Sequence, residues 1–207
     1  MQNSSFENLY AGLAFGEIDS STINISNNNA RDAILKGSIY QANGVSTGLA
    51  QIGGIAGSVS NGSIITVQGF SIDLNVSKAN EIDETYTNEF KAVKTAYGNL
   101  KPYQVTGATA NFGGFFGSVN NSQTTISGTC NVTGYVDVES DNNDVSFAAG
   151  GFIGTMSGIL TSNVNSENTL NISIKTAEDT TSAQTANVGG MIGNYTSESN
   201  PISINSS

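Results

Sequence analysis

The chain has 207 residues and a formal net charge of -10, with seven Lys and Arg against 17 Asp and Glu. Asn, Ser, Thr and Gly fill 97 positions, charged residues only 12%, and His and Trp are absent. The one cysteine, Cys130, cannot close a disulfide within the chain, a Cys/His zinc site lacks its ligands, and any triad with a histidine base is excluded.

The acidic balance argues against nucleic acid as a partner, because a polyanion repels phosphate. Lys91, Lys94 and Lys101 form a local basic cluster that reads as a solvated helix end. No apolar run approaches the ~20 residues of a membrane span. Met1–Ser5 has neither a basic n-region nor an apolar h-region, so an extracellular location requires a leader upstream of this numbering. Low charge with abundant Asn, Ser, Thr and Gly is the composition of extracellular β-rich proteins. Sequons are frequent, and Asn24, Asn61, Asn75, Asn131, Asn171 and Asn194 are the glycosylation candidates.

In chain order, the first element is a degenerate glycine block, Ala11-Gly12-Leu13-Ala14-Phe15-Gly16. Ile52-Gly53-Gly54-Ile55-Ala56-Gly57 repeats it in full. A turn follows at Ser60-Asn61-Gly62, then an alternating stretch in which Phe70, Ile72, Leu74 and Val76 are separated by polar residues. Period two with apolar side chains on one parity predicts a half-buried strand.

The next segment changes period. Ile82, Tyr86, Phe90, Val93 and Tyr97 recur at spacings of three and four, Asn80 suits an N-cap, and Lys101-Pro102 ends the pattern. These features predict a helix inserted over 80–100. Its apolar stripe would cover the flank or an edge of the β-structure.

Three further blocks follow: Phe112-Gly113-Gly114-Phe115-Phe116-Gly117, Ala149-Gly150-Gly151-Phe152-Ile153-Gly154 and Val188-Gly189-Gly190-Met191-Ile192-Gly193. Alternating stretches accompany them, with Ile126, Cys130, Val132, Val136 and Val138 on one parity, then Leu170, Ile172 and Ile174, then Ile202 and Ile204. The first glycines of the five blocks stand 41, 60, 37 and 39 residues apart, and the long interval holds the inserted segment. Units of about three short strands cannot bury an apolar face alone, so neighbouring units must stack. Glycines at one place in every unit then form a column where backbones approach closely.

Gly113–Asn121 together with Thr125–Val136 resembles a GLUG-type repeat, a glycine-framed apolar pair and polar turn followed by I-x-x-x-x-V-x-G-x-V. The Gly53 repeat matches less well in its second half, and the Gly150 repeat lacks the later glycine. The resemblance implies a surface or secreted protein with a β-solenoid-like stalk and a non-catalytic use. It transfers no catalytic residue.

One carboxylate cluster invites chemistry of two kinds. Asp137, Glu139, Asp141 and Asp144 are the densest set of oxygen ligands and would suit calcium at a turn, though they match no EF-hand spacing and also read as a solvated acidic loop. Asp137 and Glu139 fall on one strand face about 7 Å apart, a separation open to an inverting glycan hydrolase, yet any outward Asp-x-Glu on a strand gives it. Cys130 sits at an inward position and reads as a buried small hydrophobe. Threonines look irregular, against an ice-binding array, and no Gly-Lys-Ser/Thr follows any glycine pair.

The expected fold is therefore all-β, a single repeat domain over 1–207. It is a β-solenoid of about five units beginning near 10, 50, 109, 147 and 185, with one inserted α-helix. A five-bladed propeller or β-prism is the alternative. The expected function is non-enzymatic: a structural protein of the cell surface or of an extracellular fibre, self-associating through uncapped ends or continuing in a longer chain, with no cofactor other than the candidate calcium. An adhesin-type module for a glycan or protein receptor is the second reading, and a glycan-active β-helix enzyme the third.

Overall fold

A computed structural model describes residues 4–27, 33–41, 45–79, 100–101, 103–107, 109–140, 145–166, 169–176, 185–196 and 202–206. They form an all-β parallel solenoid, and no helix occurs among them. The helix expected over 80–100 lies outside the described residues, except for Leu100, which belongs to a short strand.

Four sheets make up the walls. Sheet I stacks β1 (Ser4–Gly12), β5 (Val45–Gly53), β11 (Thr109–Gly113), β15 (Ser146–Gly150) and β19 (Thr185–Gly189). Sheet II stacks β2 (Phe15–Asp19), β6 (Ala56–Ser60), β12 (Phe116–Val119), β16 (Ile153–Met156) and β20 (Ile192–Tyr195). Sheet III stacks β3 (Thr22–Ser26), β7 (Ile64–Gln68), β13 (Gln123–Thr129), β17 (Ile159–Asn165) and β21 (Ile202–Ser206). Sheet IV holds β4 (Ala33–Gln41), β8 (Phe70–Ala79), β14 (Val132–Ser140) and β18 (Thr169–Thr176), joined by β9 (Leu100–Lys101) and β10 (Tyr103–Gln104). All ladders are parallel except β8 with β9. Parallel pairing between successive repeats rules out the propeller and the prism, whose strands would pair within each unit. The chain also makes four strands per circuit, not about three, because the glycine block bends one segment into two strands.

That bend explains the motif. Gly12, Gly53, Gly113, Gly150 and Gly189 stand in one register column at the end of sheet I. The chain turns over the next two residues, and the ladder continues round the corner: Gly54 N–H donates to Gly114 O (3.0 Å), Ile55 N–H to Phe115 O (2.8 Å) and Phe115 N–H to Phe152 O (2.8 Å). The corner amides of the first four circuits, from Leu13 to Phe152, are all paired in this way, as burial demands. The buried Phe115 and Phe152 rings stack across it, 4.8 Å apart at 14°.

The third glycine of each block brings sheets I and II together. A Cβ on Gly117 would lie 2.7 Å from Gly57 O and 2.8 Å from Gln51 C; one on Gly154 would lie 2.7 Å from Phe112 N. β6, β12, β16 and β20 thus each lie against the backbone of sheet I one circuit earlier, a separation only glycine permits.

Inward positions of sheets III and IV follow the predicted parity. Ile65, Val67, Ile72, Leu74, Val76, Ile126, Val132, Val136 and Val138 are at most 1% exposed and share one core with sheets I and II. Two inward positions depart from this chemistry. Thr124 stacks between Ile65 and Leu160, and Ser162 between Ile126 and Ile204, and both hydroxyls are buried without a hydrogen-bond partner.

Three substitutions test this packing and the backbone geometry. Gly117→Val should lose about 3 kcal/mol or more in chemical denaturation, because backbone on both sides cannot retreat. Gly62→Ala should lose about 1–2 kcal/mol, since Gly62 has φ +76° but open space around it. Thr124→Val should leave stability unchanged or raise it by about 1 kcal/mol, because it removes an unsatisfied buried hydroxyl without changing volume.

Candidate functional site

Of the acidic sequence candidates, the described residues include Asp137 and Glu139. Asp137 and Glu139 lie on one face of β14, in register with Ser173 and Lys175 of β18. Asp137 is 1% exposed and Glu139 half-buried, whereas the sequence suggests a solvated pair. Asp141 and Asp144 lie outside the described residues. Among the described residues no three His, Cys, Asp or Glu side chains gather as metal ligands.

Cys130 is a fully buried free thiol at the corner between sheets III and IV, and its Sγ donates to Ser127 O (3.2 Å). Burial raises its pKa, outweighing the backbone hydrogen bonds from Phe70 and Gly69 that lower it. The neutral thiol is thus favoured in the folded state, as expected of a core residue.

The glycosylation candidates separate by accessibility. Asn24, Asn61 and Asn171 are exposed, Asn131 and Asn194 half-buried, and Asn75 only 6% exposed. Asn75 is outward by parity, but a sequence pattern cannot reveal what lies over a strand face.

Two surface features escape the sequence. One is the polar edge between sheets II and III. There Asn61 and Asn121 take positive φ (56° and 46°), and Asp19 Oδ1 accepts from Ser60 Oγ (2.9 Å) and from Asn61 Nδ2 (2.5 Å). Farther along the edge Ser157 Oγ donates to Asn120 Oδ1 (3.3 Å). A cleft of about 160 Å³ opens there against Gly62, Asn121, Ser122 and Gln123. The other is the outer face of sheet III. Asn24, Thr66, Thr125, Thr161 and Ser203 form one register column, with Ser26, Gln68, Ser127 and Asn163 beside it. The five strands of this sheet contain no charged residue, in a chain of net charge -10. The threonines judged irregular in sequence are therefore aligned in space: Thr66, Thr125 and Thr161 are adjacent, about 4.8 Å apart by strand spacing.

Among the described residues no helix is long and apolar enough to cross a membrane. No protein-family model, curated protein or solved structure matches the chain.

Because Cys130 has a raised pKa when folded, its stabilising contribution is complete below the unfolded thiol pKa. It fades as pH rises from there through the folded pKa. Native Cys130 should therefore resist a thiol reagent at neutral pH and react only as the protein unfolds, and Cys130→Ala should flatten part of the alkaline loss of stability. Rapid labelling of the native protein would contradict this placement.

Proposed function

We propose that the protein is a non-enzymatic structural protein of the cell surface or of an extracellular fibre. In this reading five units, beginning near 10, 50, 109, 147 and 185, stack into a stiff rod, with a helix inserted over 80–100. The observation that carries the reading is the glycine column from Gly12 to Gly189, in which every repeat presents the same corner at the same height. A solenoid contacts only its neighbours along one axis, so its specificity is spent on length and stiffness. The resemblance of Gly113–Val136 to GLUG-type stalk repeats supports the same reading, as does the low-charge, Asn- and Ser-rich composition. The accessible sequons at Asn24, Asn61 and Asn171 would carry glycans on such a surface. The reading needs no cofactor and no nucleic acid.

A second reading, an adhesin-type binding module, is favoured by one observation. The uncharged Asn/Thr/Ser columns on sheet III are a flat, repeating set of hydrogen-bonding groups suited to a glycan or protein receptor.

Negative-stain microscopy of the purified chain at neutral pH should show rods or fibres. Monodisperse particles that bind a glycan array would favour the second reading. Sugar cleavage abolished by Asp137→Asn would overturn the non-enzymatic reading.

A further inference from the structure

Among the described residues, three of the exposed large hydrophobics belong to columns that are buried on the middle strands of the stack. Val188 is 59% exposed on β19, whereas Ile52, Phe112 and Ala149 of the same column are at most 1% exposed. Phe15 is 39% exposed on β2, while Ala56, Phe116 and Ile153 beside it are fully buried. Ile204 is 52% exposed on β21, and Val67, Ile126 and Ser162 of its column are fully buried. These side chains have core chemistry and lie on the outermost described strands of each sheet. β1, β2 and β3 end sheets I to III on one side, and β19, β20 and β21 on the other.

Resting on the structural reading above, we infer that these two ends are mates. A second copy of this chain docks head to tail, with β1–β3 of one copy beside β19–β21 of the next in the internal register. Because every strand points the same way round, one end offers the edge that the other lacks. That is a heterologous contact, and it propagates as a filament. Following the columns across the joint sets Gly189 beside Gly12, Val188 beside Ala11, Ile192 beside Phe15, and Ile202 and Ile204 beside Ile23 and Ile25.

Charge selects this orientation. Glu7, Glu17 and Asp19 are exposed on β1 and β2, whereas β19, β20 and β21 contain no charged residue. Head-to-head pairing would oppose carboxylates, a destabilising arrangement between strands. Head-to-tail pairing sets Glu17 beside Asn194, which can donate to it. Sheet IV ends on β18 and is not continuous across the joint, so three ladders carry it.

The test uses end-blocked variants of the full chain. Val188→Asp with Ile204→Asp blocks one end, and Phe15→Asp blocks the other. All three sites are already exposed, so circular dichroism should be unchanged; Ile204→Lys alone is the milder replacement should the double variant not fold. Each blocked variant should sediment as a monomer. An equimolar mixture of the two should give a species of twice that mass and nothing larger, because only one open head and one open tail remain to meet. Wild-type rods should lengthen with added salt, which screens the net charge of -10. Asn163→Asp, on the outer face of sheet III, should still form rods. Rods of unchanged length from the blocked variants would mean lateral association, overturning this inference while leaving the structural reading intact. Wild-type protein that stays monomeric at every concentration would overturn both.

Discussion

The solenoid depends on the close approach of sheets I and II. Gly57, Gly117, Gly154 and Gly193 each lie where a Cβ would collide with the backbone of sheet I one circuit earlier. A side chain there would hold the sheets at the usual face-to-face distance of about 10 Å and open the corner. With glycine, backbone packs on backbone, and the offset of one circuit ties each repeat to the one before it. The register of every other column follows from that tie, because a slip of one residue would turn the apolar set outward.

Within the register, volume is conserved between neighbours rather than at each position. Gly37, Leu74, Gly134 and Leu170 form one column of sheet IV, so each leucine sits beside glycine. Where the first block has Leu13 in place of its second glycine, the leucine side chain occupies the space over Gly37, which has no Cβ to obstruct it. Complementary size changes of this kind keep a core at native density while the sequences of the repeats drift apart. Sheet IV also absorbs the inserted segment by backbone mimicry. The Gln41 side chain accepts from Gln104 N–H (2.8 Å) and donates to Gln104 O (2.9 Å), giving β10 the pair of bonds a neighbouring strand would provide.

Much of this was legible because glycine and parity are local signals. The recurring Gly-Gly blocks foretold the column from Gly12 to Gly189, and alternation identified Ile72, Leu74, Val76, Val132 and Val136 as inward. The strand count was not legible. β11 and β12 look like one apolar stretch until the bend at Gly114-Phe115 divides them. Asp137 and Asn75 were misjudged for a different reason: parity states which way a side chain points, but burial depends on what packs over it. The alignment of Thr66, Thr125 and Thr161 was hidden by unequal spacing, since the long interval between the second and third glycine blocks shifts their sequence positions without disturbing the register.

The same separation between local pattern and position bears on function. Val188 and Ile52 occupy equivalent positions in their motifs, yet one is surface and the other core. Nothing in either residue encodes the difference; it arises from where each strand falls in the stack. A repeat fold therefore leaves core chemistry on its outermost strands without a dedicated sequence feature, and the proposed head-to-tail contact follows from both sets being cut from one pattern. The side walls are governed differently, since outward residues there are unconstrained by the core, as in the uncharged columns of sheet III. In the proposed filament, assembly would be bound to the residues that specify folding, while receptor specificity could change on the walls without cost to the stack.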